Sequence, residues 1–110
     1  MNYKADLGFE LIHNDEIDTQ IAGFHWRSHG RGANIYFVDC QAVVIIFAEM
    51  SATKEYDVLV FGETQHITKR YYPLEHRYEI IPLDERLRIQ GLLVEWLESK
   101  GMRHDIKIGK

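Results

Sequence analysis

Apolar residues at Ile89, Leu92, Leu93, Trp96 and Leu97 fall at i, i+3, i+4, i+7 and i+8, the spacing of one buried helical face. This periodicity predicts a helix over LDERLRIQGLLVEWLESKG, Leu83–Gly101. Asp84 is of the type that caps a helix start, and Gly101 suits the left-handed turn just past a helix end. Arg86, Gln90, Glu95 and Glu98 stand at other angles and are expected to stay in water.

Upstream, the pattern changes to the alternation of strands. Leu7, Phe9 and Leu11 alternate with Asp6, Gly8 and Glu10, which predicts a strand over Ala5–Ile12, followed by a polar turn segment over His13–Thr19. Ile21–Arg27 alternates with Ala22, Phe24 and Trp26 on one side and Gly23, His25 and Arg27 on the other. Ser28–Asn34 carries two glycines and is expected to be a loop. Ile35–Asp39 and Ala42–Glu49 are rich in Val, Ile and Phe, with either a tight turn or a bulge at Asp39–Gln41. Val43–Phe47 does not alternate, so a central strand covered on both faces is expected there. Tyr56–Phe61, Thr64–Tyr72 and Arg77–Ile81 read as further strands, and Ile106 and Ile108 as a last edge strand. Strands followed by one helix imply an α+β fold: a single domain over 1–110, with one antiparallel sheet of about five to seven strands and the C-terminal amphipathic helix on one face. The other sheet face then needs water, the N-terminal segment or a partner.

Composition narrows the class without naming a chemistry. The 110 residues suffice for a core without metal or disulfide staples. One cysteine, Cys40, cannot form an internal disulfide, so a reducing compartment fits; between Val38-Asp39 and Gln41–Val44 it is expected to be a semi-buried small hydrophobe. The N-terminal stretch lacks a secretory pattern and the apolar run Ala42–Ala48 is too short to span a bilayer, so a cytoplasmic protein with no membrane partner is expected. Net charge is −4, and it is uneven. Asp15, Glu16 and Asp18 outweigh Lys4, while Glu55, Asp57 and Glu63 outweigh Lys54. An acidic chain makes nucleic acid a poor partner and favours a basic protein.

Candidate chemistry is sparse. His25 and His29 are four apart, but they straddle a strand end and a glycine-rich loop, and no cysteine pair or HExxH context accompanies them. No metal and no cofactor is therefore expected. HGRGAN lacks the lysine and hydroxyl of a phosphate-binding loop. Lys69, Arg70, Tyr71, Tyr72, His76 and Arg77 interleave cations with rings, the composition of an RNA-binding or ribonuclease surface. Ser28, Ser51 and Ser99 lie outside any nucleophile turn, so no catalytic residue is assigned.

A strand-rich first part, the helix LDERLRIQGLLVEWLESKG and the tail HDIKIGK resemble bacterial toxin-immunity proteins of the contact-dependent growth-inhibition type. The resemblance implies an inhibitor, not an enzyme, that binds one cognate toxin. A basic nuclease-type partner would then be met by carboxylates drawn from Asp15, Glu16, Asp18, Glu55, Asp57 and Glu63. A homodimer through the uncovered sheet face is a third expectation.

Overall fold

A computed structural model of the chain describes residues 2–4, by backbone alone, and 15–110. Strands β1 (Asn2–Lys4) and β2 (Glu16–Asp18) form an antiparallel ribbon. The main sheet holds β3 (Gly23–His29), β4 (Gly32–Asp39), β5 (Ala42–Met50), β6 (Val58–Val60), β7 (Lys69–Tyr72) and β8 (Arg77–Ile80). Its order is β3-β4-β5-β7-β8, with β6 also on β5 and every pairing antiparallel. The nine-residue β5 is long enough to seat two partners end to end on one edge, β7 at Val43 and β6 at Ala48–Met50. Helix α1 (Leu83–Ser99) follows. The architecture is α+β, as the hydrophobic pattern implies.

Alternation decides which side chains meet the helix. Ala33, Ile35 and Phe37 of β4 and Val44, Ile46 and Ala48 of β5 form one core with Ile89, Leu93, Val94 and Leu97 of α1. Leu92 and Trp96 flank this core and are only partly buried. The intervening residues Tyr36, Val38, Val43 and Ile45 form a second cluster on the opposite face, closed by Ile17 of β2. The β1–β2 ribbon therefore covers part of the face that the helix leaves open.

Several local expectations change. Pro82, not Asp84, is the N-cap residue, and it makes no side-chain cap bond. The helix ends in a Schellman motif: Met102 N–H donates to Leu97 O (3.0 Å), Gly101 N–H donates to Glu98 O (3.0 Å), and Gly101 takes φ +70°. Gln90 is buried, not wet: its amide donates to Gly62 O (2.9 Å) and accepts from Gly109 N–H (2.8 Å). Ser28–Asn34 is no loop, because β3 runs to His29 and β4 restarts at Gly32, leaving only Gly30-Arg31 as the turn. The Asp39–Gln41 alternatives resolve to a two-residue turn in which Cys40 (φ 50°) and Gln41 (φ 65°) both adopt left-handed backbone. Cys40 is exposed there. Phe47 is 49% exposed, so β5 is covered on both faces only as far as Ile46. Glu16–Asp18 pairs as strand within the expected polar segment, and strands 56–61 and 64–72 shorten to β6 and β7. The tail forms no strand beyond one parallel bridge, Val58 with His104, although Ile106 is buried beside Gly62. The expected strand Ala5–Ile12 lies outside the described residues.

Candidate interaction surface

The C-terminal end of α1 crosses the sheet at β3, and the meeting is incomplete. Phe24 and Trp26 alternate onto the helix side of β3, and Trp96 descends from α1. The Phe24 ring stacks on Trp96 at 5.2 Å between centroids and sits 4.6 Å from Phe37. The Trp26 ring stays 6.5 Å from Trp96, with its indole N–H donating to Ser28 Oγ (2.7 Å). Between these rings lies a cleft of about 600 Å³, which His25, Arg27, Met50, Lys100 and Met102 also line. Lys100 Nζ stands 5.9 Å from the centre of the Trp96 ring. An apolar cavity with a few polar groups at its rim is the usual form of a binding site.

Met102 is where the chain turns back after the Schellman motif, and it forms the wall between this cleft and a second one. The second cleft, of about 450 Å³, is lined by Glu55, Tyr56, Glu98, Arg103 and His104 besides Met102. Arg103 builds its outer lip. The guanidinium donates to Asp57 Oδ1 (2.9 Å) and to Lys54 O (2.8 Å), and the Arg103 N–H donates to Asp57 Oδ2 (2.8 Å). These bonds from Arg103 hold the Asp57 carboxyl down at about 2. They also fix the segment that presents Glu55 and Tyr56. Glu55 and Glu98 are exposed and, among the described residues, no cation lies within ion-pair distance of either, so their charge faces solvent beside the Met102 ridge.

The six carboxylates expected to form a binding pool are not one patch. Glu55 lies on this surface, and Asp57 supports it from behind as the partner of Arg103. Glu63 accepts from Lys107 N–H (3.4 Å) and helps hold the tail. Glu16 is exposed on β2, and Asp18 accepts from Gln20 N–H (2.9 Å), the main cause of its lowered pKa. Asp15 is a correction: it is 7% exposed and cannot serve as a surface contact. Its Oδ2 accepts from Tyr36 OH (2.6 Å), His29 Nε2 (2.9 Å) and Asn34 Nδ2 (3.3 Å). Burial pushes this carboxyl up, yet the bonds from Tyr36, His29 and Asn34 and the charge of His29 outweigh it and leave the pKa below its usual value.

The basic-aromatic stretch folds as the β7–β8 hairpin, and its arginines are already neutralised. Arg70 donates to Glu79 (2.9 Å) and lies 3.7 Å from Glu85; Arg77 pairs with Glu75 (3.0 Å) and Glu79 (3.6 Å). Lys69 lies over Tyr78 and Arg77 over Tyr72, Tyr71 is buried, and the exposed His76 sits at the connecting turn. His25 bonds Ile21 O (2.8 Å) and His29 bonds Asp15, so the two rings serve different contacts. Among the described residues, no group of three or more His, Cys, Asp or Glu could hold a metal ion. No described helix is long and apolar enough to cross a membrane.

No protein-family model matches the chain, and neither a curated protein nor a solved structure matches it.

Sequence reasoning missed Phe24, Trp26, Met50, Trp96, Met102 and Glu98 as neighbours. The available signal was a strand with two aromatic residues on one face, together with a tryptophan at the margin of the helical stripe.

Proposed function

We propose that the protein is a non-catalytic binding protein that neutralises a basic protein partner, of the kind an immunity protein makes with a nuclease-type toxin. One observation carries the reading: an open cleft between Phe24, Trp26 and Trp96 adjoins the unpaired carboxylates Glu55 and Glu98 across Met102. Tryptophan, tyrosine and methionine are enriched at the centres of protein interfaces, where they fill pockets and exclude water. Unpaired carboxylates at the rim attract a cationic partner and speed its encounter. The paired state of Arg70 and Arg77 gives an RNA-binding reading less support, because phosphate would have to displace carboxylates already in place.

The test is co-purification with the product of the adjacent open reading frame, followed by calorimetry. Trp96→Ala should weaken the complex by about 2 kcal/mol or more, roughly 30-fold in Kd. Glu55→Gln with Glu98→Gln should mainly slow association and flatten its salt dependence. A complex indifferent to Trp96→Ala, or a protein that neither binds that product nor protects cells expressing it, refutes the proposal.

A further inference from the structure

Strand β3 ends the six-stranded sheet. Its inner edge is paired along its whole length with β4, and among the described residues no strand occupies the outer edge. The β3–β4 turn has two residues, so its closing pair, His29 and Gly32, exchanges the ladder hydrogen bonds. Alternation gives Arg27, His25 and Gly23 the same inward role. The N–H and C=O groups of Phe24, Trp26 and Ser28 therefore point away from β4. The Trp26 carbonyl agrees: it accepts from the Arg27 guanidinium (3.0 Å). That guanidinium also donates to Glu16 O (3.1 Å), so one side chain partly shields the edge. A charged side chain over an edge is a common protection against uncontrolled strand pairing.

The same three residues line the aromatic cleft. An extended segment laid along β3 would bond the backbone of Phe24, Trp26 and Ser28. Its residues opposite these three would point their side chains to the helix side, into the space beside Trp96. Backbone bonds then supply affinity and alternate side chains supply selectivity, the two elements of recognition by strand addition. Charge sets the direction. Met50, the last residue of β5, donates its N–H to Arg31 O (2.7 Å) in the β3–β4 turn and so marks the Ser28 end of the cleft, and past Met102 lie Glu55 and Glu98. An antiparallel segment brings its N-terminal end to this side.

Resting on the proposed binding of a basic protein, we infer that β3 receives a partner segment as an added antiparallel strand, with basic residues at its head and alternating aliphatic residues after them. The aliphatic side chains fill the cleft of Phe24, Trp26 and Trp96, and the basic head meets Glu55 and Glu98. Arg27 releases the Trp26 carbonyl as the new backbone arrives.

The probe is the blocked peptide acetyl-Arg-Arg-Thr-Val-Thr-Leu-Thr-Val-amide, titrated into isotope-labelled protein and followed by amide shifts. Strand addition predicts shifts at Phe24, Trp26 and Ser28 and at the Trp96 indole. A copy N-methylated at Val, Leu and Val loses three backbone donors and should bind at least tenfold more weakly. A copy headed by two glutamates should also be weaker. Shifts remote from β3, equal binding of the N-methylated copy, or no shifts at about 1 mM peptide would each overturn the inference. With the neighbour-encoded partner, Ser28→Pro removes an outward N–H that an edge strand can spare, and Ser28→Ala controls for the hydroxyl. Affinity that falls in Trp96→Ala but is equal in Ser28→Pro and Ser28→Ala would refute strand addition and leave the cleft as the binding site. Affinity indifferent to Trp96→Ala would refute the cleft as well.

Discussion

Asp15→Ala is the substitution that most directly tests how the N-terminal ribbon is held to the sheet. The carboxylate accepts three hydrogen bonds on one oxygen, and the shortest, from Tyr36 OH at 2.6 Å, comes from a side chain with no exposed surface. A buried bond to a charged group contributes about 1.5–3 kcal/mol. The His29 contact involves a ring 17% exposed and adds less, about 0–1 kcal/mol after screening. The Asn34 contact is long at 3.3 Å, and the Asn34 amide keeps a bond to Tyr36 OH (3.1 Å), so little is lost there. The expected cost is about 1.5–4 kcal/mol in urea unfolding monitored by tryptophan fluorescence. A cycle with Tyr36→Phe should show coupling of about 1 kcal/mol or more. The sign with pH follows from the depressed carboxyl. Its contribution is complete above the unfolded value of about 3.9 and is lost as pH falls through the lower folded value. The gap between the wild type and Asp15→Ala should therefore narrow as pH falls through the acid range. A cost below about 0.5 kcal/mol, no coupling to Tyr36, or a gap that does not narrow in acid would refute this account.

Gln90→Leu keeps the volume but leaves Gly62 O and Gly109 N–H without their partner, and should cost about 2–4 kcal/mol by denaturant unfolding. Leu93→Ala truncates a fully buried side chain at the centre of the helix–sheet core and should cost about 3–5 kcal/mol, more than Trp96→Ala, whose ring is only partly buried. Gln41→Gly relieves a left-handed residue in the β4–β5 turn and should raise the unfolding midpoint, by about 1 kcal/mol of stability.

The features legible in the sequence were those set by local period. The Leu83–Ser99 helix and the β-rich run through β5 follow from spacing alone. What escaped was set by contacts distant along the chain. Gln90 lies between Ile89 and the Leu93–Val94 pair, so its angle already borders the core, but only the returning tail and the Gly62 turn make it a buried bridge. Asp15 reads as one of several loop charges until Tyr36, 21 positions later, is folded against it. The glycines of Ser28–Asn34 suggested a long loop, whereas a two-residue turn needs glycine just as much. The surface around Trp96 was hidden because β3, the helix end and the 50–57 segment meet only in three dimensions.

The β3–β4–β5 meander has a kinetic consequence. Its strands are consecutive and joined by two-residue turns, so closing its loops costs little chain entropy. By contrast, β7 joins β5 through the single register pair Val43–Tyr71, after the chain has travelled through β6 and a turn. The meander is thus the part of the molecule expected to order first in the folding transition state, with the β7–β8 hairpin and the helix condensing onto it. Gln41→Gly should then quicken refolding and leave the unfolding rate almost unchanged, while Leu93→Ala should act mainly by hastening unfolding. Chevron plots of the two variants with their effects on opposite limbs would place the nucleus in the meander; the reverse assignment would place it in the helix.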